Sequence, residues 1–174
     1  MQGRVSAPAR SGVFAGSHRP PCRERNQMKK VMPPVYLYSA ILLAIALHLL
    51  LPLNQLLPGI WRLIGLVALM TGIVLNLAAD QAFKKRGTTV KPYERSTALV
   101  TDGVFRISRN PMYLGMSLMV LGIALLLGSA AAIAMSFVFP VLLDRIYIVG
   151  EEQMLEEAFG GSFRAYRKRV RRWV

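Results

Sequence analysis

A chain of 174 residues has room for one domain, and 53% hydrophobic against 18% charged residues is richer in apolar side chains than a soluble domain requires. The composition points to a membrane protein. The formal charge of +13 invites a nucleic-acid reading, but the basic residues do not interleave with base-stacking aromatics on one folded face, and that class is set aside.

Residues 1–30 are rich in Arg, Ser, Gly and Pro and lack apolar periodicity. They cannot bury enough surface to offset the entropy of ordering, so a disordered basic extension is expected there. The single cysteine, Cys22, lies in this tract with neither a disulfide partner nor a second metal ligand, and reads as an incidental thiol. The tract is not a secretory signal, because the first long apolar run starts only at Val35 and no small-residue cleavage site follows it. Met28, just ahead of Lys29 and Lys30, offers an alternative translation start, which makes the residues before it a gene-model extension.

The remainder, 31–174, reads as one membrane domain. Apolar runs at 35–52 and 61–79 are each long enough to cross a bilayer. The stretch 112–149 is predominantly apolar and has Gly128 and Ser129 near its middle, which predicts two spans, 112–128 and 130–149, joined by a tight turn. The expected fold is therefore all-α and integral to the membrane, with about four transmembrane helices. Apart from Arg62, Lys and Arg fall into three groups of seven, in residues 1–30, in 81–111 and from Arg145 onward. Basic residues mark the cytoplasmic side, so both termini and the 81–111 loop are expected in the cytoplasm, with the spans in a plasma (inner) membrane.

Within the spans, Gly65 and Gly72, and then Gly115, Gly122 and Ser129, recur every seven residues and predict close helix packing. His48 is alone among leucines and reads as a packed or interfacial side chain. Asn76 and Asp80 lie one turn apart at the end of the second span, where they either cap the loop or line a site.

The segment "RISRNPMYLG" (106–115) stands at the mouth of the third span. Pro111 suits a first helical turn, where its missing N–H costs nothing. Asp102 and Gly103 form a turn before it, leaving Arg106 and Arg109 near the headgroups; lipid-phosphate contact would account for these arginines alone. Beyond the fourth span, Glu151, Glu152, Glu156 and Glu157 hold four of the chain's nine acidic residues. Glu156 and Glu157 read as a solvated helical turn, whereas Glu151 and Glu152, at the membrane exit, suit a cationic ligand. After Gly160 and Gly161, the residues Phe163, Tyr166, Val170 and Trp173 follow at spacings of three and four among arginines, the pattern of a C-terminal amphipathic helix on the cytoplasmic membrane surface.

The combination of "RNPMYLG", a helical hairpin and "EEQMLEEAFGGSFRAYRKRVRRWV" resembles the isoprenylcysteine carboxyl methyltransferase family and its phospholipid methyltransferase relatives. The resemblance covers roughly residues 99–173. It implies S-adenosyl-L-methionine as methyl donor, bound on the cytoplasmic side by Arg109, Asn110, Pro111, Tyr113, Gly115, Glu151 and Glu152, with Arg106, Arg109 and Tyr113 in catalytic places. A zwitterionic amino-acid tail needs a carboxylate for its ammonium and a base for its carboxylate, and Glu151 or Glu152 with Arg109 supplies both. Tyr113 is placed to meet the nucleoside or the sulfonium.

The implied acceptor is a lipophilic or prenylated molecule that enters from the bilayer, with Arg106 holding its polar end. Asn110 stands where the family often has His. An amide is no base near neutral pH, and a carboxylate acceptor needs none, so the substitution favours O-methylation of an isoprenylcysteine-like substrate over N-methylation of a phospholipid amine. No cluster of His, Cys and carboxylates has metal spacing, and no metal is expected. Two other readings share the layout: an NAD(P)H-dependent membrane reductase of the sterol-reductase type, and a non-enzymatic scaffold.

Overall fold

The structure, a computed structural model, describes residues 31–51, 57–87 and 99–174. The basic extension with His18, Cys22 and Met28 lies outside the described residues. Proline has no N–H to leave unpaired, and Pro33 and Pro34 begin the first helix, α1 (Pro33–Leu50). A short 3-10 turn, Gly59–Trp61, leads into α2 (Arg62–Lys85), whose last turn carries Lys84 and Lys85 toward the negative end of the helix dipole.

A second 3-10 turn, Gly103–Arg106, precedes α3 (Pro111–Leu127), which starts on Pro111 as its sequence requires. Gly128 ends it in the left-handed region (φ 68°), donating its N–H to the carbonyls of Ala124 and Leu125. The reversal is complete within Gly128 and Ser129, and α4 (Ala130–Leu143) follows.

Helix α4 does not stop at the expected end of the fourth span. It passes through one π turn, Asp144–Ile148, directly into α5 (Val149–Phe159), giving a continuous run of 30 residues. Pro140 sits one turn before the widening; its missing N–H already breaks the α-helical ladder there. Gly160, at φ 49°, turns the chain into α6 (Gly161–Arg169).

All described elements are helical. Three of the helical runs, Pro33–Leu50, Arg62–Lys85 and Ala130–Phe159, are long and apolar enough to cross a membrane, and α3 is a shorter apolar helix of 17 residues. Their outer faces expose large apolar side chains such as Leu42, Val67, Val74 and Phe137, a surface that water does not favour and lipid can cover.

The seven-residue glycine spacing has a direct structural counterpart. Gly65 lies against Gly122 and Gly72 against Gly115, an antiparallel register in which α2 packs along α3 backbone to backbone. A Cβ at Gly72 would stand 2.6 Å from the Gly115 carbonyl oxygen, and one at Gly122 would stand 2.6 Å from the Leu69 nitrogen. Asn76 belongs to this seam, donating to the Gly72 carbonyl (3.0 Å) and touching the Met119 sulfur.

Ser129 does not extend the seam; it begins α4, because α3 has already ended. Asp80 faces outward and pairs with Lys84 at 2.6 Å. On the other side of α3, residues of α1, α3 and α4 and the π turn form the main core: Leu37, Tyr113, Val120, Phe139, Leu143 and Tyr147 among them.

The seam leaves no room for a methyl group. Gly72→Ala and Gly115→Ala are each expected to destabilise the bundle by about 1–3 kcal/mol through overpacking. Gly150→Ala, where an added Cβ meets nothing within 4 Å, is expected to stabilise its helix by about 0.5–1 kcal/mol. Unfolding transitions in lipid nanodiscs measure all three, and equal behaviour at the three positions would contradict the packing.

Candidate functional site

The site is built where α3 begins, where α5 continues α4, and where the chain ends. After Arg169 the backbone leaves helical geometry at Val170 (φ −122°, ψ 132°), and residues 170–174 run on as a non-helical strap. The expected amphipathic helix is thus nine residues long, and its apolar stripe divides. Phe163 and Tyr166 are buried in the protein, while Val170 and Trp173 belong to the strap. Tyr166 donates its hydroxyl to the Phe105 carbonyl (2.6 Å); burial pushes its pKa up to about 12, so it stays a donor.

The strap crosses the mouth of α3 and is held there by three hydrogen bonds. The Arg109 N–H donates to the Arg171 carbonyl (3.1 Å), and the Ser108 hydroxyl and the Asn110 amide nitrogen both donate to the Arg172 carbonyl, at 3.2 and 3.3 Å. Asn110 acts here as a neutral donor to backbone, a place that a histidine N–H would fill equally well. Its own carbonyl is used by the Leu114 N–H inside α3.

Side chains lock the same crossing. Glu152, nearly fully buried, receives Arg172 at two points, Nε to Oε1 at 3.2 Å and Nη2 to Oε2 at 2.6 Å. Arg109 Nη2 lies 3.2 Å from Glu152 Oε1, and Arg172 Nη1 donates to Asp144 at 3.0 Å. Two carboxylates and two guanidiniums thus balance in one chain of contacts, Arg109, Glu152, Arg172, Asp144. Hydrogen bonding to Glu152 raises the Arg172 pKa, whereas burial lowers that of Arg109 against the pull of Glu152.

The π turn makes this geometry available. Eight residues of ideal α-helix would leave Asp144 and Glu152 roughly 80° apart around the axis. One widened turn brings them toward a common face, where a single guanidinium reaches both.

Glu151, one residue earlier, points elsewhere and has a different partner: the Tyr113 hydroxyl donates to it at 2.5 Å. The Tyr113 ring stacks on Tyr147 (centroids 5.9 Å apart), and Tyr36 meets Tyr147 edge-on. The structure therefore brings together Arg109, Asn110, Pro111, Tyr113, Glu151 and Glu152.

Gly115 turns to the glycine seam against α2 and is a packing position. Arg106 is exposed at the end of its 3-10 turn, outside the ion-pair chain. Glu156 pairs with Arg167 (3.6 Å), and Glu157 is exposed. Sequence reasoning missed Ser108, Asp144 and Arg172. Asp144 left a signal, as a lone acid at the end of a long apolar run; Arg172 left none among so many tail arginines.

Arg109 also keeps two buried donors, Nε and Nη1, that have no hydrogen-bond partner among the described residues. Buried N–H groups are rarely left so.

The described residues form an all-helical bundle with a chain of paired charges at one end. Its fold matches the solved eukaryotic intramembrane Ras methyltransferase, isoprenylcysteine carboxyl methyltransferase, with a TM-score of 0.62 over 86% of this chain and 53% of that one, at 24% identity. The phospholipid methyltransferase family model matches residues 60–162, and the chain belongs to that family. It is 36% identical over 75 residues to the protein-S-isoprenylcysteine O-methyltransferase of Schizosaccharomyces pombe, covering 41% of this chain and 30% of that protein. It is also 36% identical over 63 residues to an uncharacterized protein of Haemophilus influenzae, the whole of that protein and 36% of this chain. The chain thus spans about half the length of the solved relative and under a third of the yeast one. The strap lies beyond the family match.

Removing the carboxylate that joins the two arginines leaves Arg109 buried without a counter-charge. Glu152→Gln is expected to destabilise the protein by about 3–5 kcal/mol, and Glu157→Gln, exposed, to stay within about 0.5 kcal/mol of the parent. Chemical unfolding in detergent compares them, and equal stabilities would contradict the buried pairing.

Proposed function

We propose that the protein transfers a methyl group from S-adenosyl-L-methionine to a lipophilic acceptor at the cytoplasmic face of a membrane, most readily to the carboxylate of an isoprenylcysteine-like molecule. Family membership supports the methyltransferase reading over the reductase and scaffold readings. The observation that carries the donor is the pair of unpartnered, buried donor groups of Arg109 beside a two-carboxylate turn.

When bound, S-adenosyl-L-methionine supplies an electrophilic methyl group on a cationic sulfur. Arg109 takes the carboxylate of its amino-acid tail, and Glu151 takes its ammonium. Glu152 is less suited to that second role, because two guanidiniums already neutralise it. Tyr113 orients the Glu151 carboxylate by its hydrogen bond. The bound donor would supply its methyl group, with the electron pair of that bond kept by sulfur, to a carboxylate oxygen that the acceptor itself would bring. No proton moves, so positioning in line is the protein's main task.

The topology that goes with this reading has four spans, the short α3 among them, with both ends and the site cytoplasmic. The basic face of α6 lies toward the lipid headgroups, in the inner membrane. The three groups of basic residues support it.

Calorimetric titration of S-adenosyl-L-methionine into the protein in nanodiscs tests the donor. Saturable binding is expected, weakened about tenfold to a hundredfold in Glu151→Gln by loss of a charge-assisted hydrogen bond. With donor present, a prenylcysteine analogue should yield a base-labile ester, and the analogue without its prenyl chain should not react. Base-stable methylation of a phospholipid amine would replace the O-methylation reading. No donor binding would overturn the methyltransferase reading altogether.

A further inference from the structure

Two cavities meet at one side chain. The larger, about 610 Å³, is lined by Pro140, Val141, Asp144, Arg145, Arg172 and Trp173. The smaller, about 270 Å³, is lined by Val149, Glu152, Gln153, Glu156, Arg167 and Arg172. The first has apolar walls and lies on the side of α4 where Phe137, Val138 and Val141 are exposed, so a chain from a bilayer can enter it. All the residues that line the second except Val149 are polar or charged. Arg172 lines both cavities.

We infer that Arg172 receives the anionic end of the acceptor, taking it in exchange for Asp144. This assignment rests on the methyl-transfer reading above. The occupant that fits the larger cavity is an amphiphile with an apolar chain and a carboxylate head. Its walls are apolar along Pro140, Val141 and Trp173, while its polar end holds two guanidiniums, Arg145 and Arg172, against one carboxylate, Asp144.

The three nitrogens of Arg172 are divided between its partners. Nε and Nη2 hold Glu152, and Nη1 holds Asp144. An acceptor carboxylate can therefore replace Asp144 at Nη1, like for like, while the bidentate contact to Glu152 keeps the strap in place. The head group would then stand at the boundary of the smaller cavity, next to the Glu152 and Arg109 pair. Arg106, which the sequence suggested for this role, is exposed and lines neither of these cavities. An uncharged methyl ester loses the charge that wins Nη1 from Asp144, so the product should be released more readily than the substrate binds.

The chain has two tryptophans, Trp61 and Trp173, so in a Trp61→Phe background the emission of Trp173 reports on the cavity without any turnover. A farnesyl thioether acetic acid and its methyl ester are titrated into that protein in nanodiscs. The acid is expected to change the emission saturably and to bind at least about tenfold more tightly than the ester, the worth of a charge-assisted contact. Arg172→Gln should abolish the preference for acid over ester. Asp144→Asn keeps the Glu152 contact and removes the competing anion, and should bind the acid several-fold more tightly than the parent. Equal affinity for acid and ester in the parent, or weaker acid binding in Asp144→Asn, would overturn the assignment. A parent that prefers the acid but fails to bind S-adenosyl-L-methionine would uphold the Arg172 site and refute the methyltransferase reading.

Discussion

The rest of the site depends on one ion pair, the buried Glu152 with the half-buried Arg172. Glu152 is carried by the long helix that begins at Ala130, and Arg172 by the strap that follows α6, so the pair joins the bundle to the strap. It also supplies half of the environment of Arg109, whose guanidinium is buried and would be costly to hold there uncompensated. Once the strap is fixed, its carbonyls become the acceptors for Ser108, Arg109 and Asn110, and the mouth of α3 takes its shape.

Two local devices make that pair possible. The π turn re-aims the helix so that Asp144 and Glu152 both reach Arg172, at no cost in the continuity of the helix. The glycine seam is the second: because α2 approaches α3 through Gly65, Gly72, Gly115 and Gly122, α3 is held rigidly along one side while its other side packs Tyr113 against Tyr147. Charge, aromatic stacking and close backbone contact thus position the same few residues from three directions.

Much of this was legible in the sequence, and the parts that were not have a common cause. Prolines at 33, 34 and 111, Gly128 at the hairpin and the seven-residue glycine spacing act locally or between neighbouring helices, so pattern alone located them. The Glu151 and Glu152 pair was recognisable, but their division of labour was not, since it depends on which partner each meets across the fold. The strap was read as helix because Phe163, Tyr166, Val170 and Trp173 continue a helical period. The carbonyls of Arg171 and Arg172 instead find donors on α3, a tertiary contact that overrides the local pattern. The π turn likewise extended the fourth helix through residues that composition placed beyond the membrane.

The most direct measurement of the central claim is a double-mutant cycle on Glu152 and Arg172, each changed to Gln singly and together, with stability read from denaturant unfolding in detergent. Residues that share a buried contact couple by about 0.5–3 kcal/mol, and the bidentate geometry here calls for the upper part of that range. The double mutant is expected to be more stable than the sum of the two single losses allows, by about 2 kcal/mol or more. Losses that simply add would mean that the two residues do not hold each other, and the strap would have to be anchored by something else.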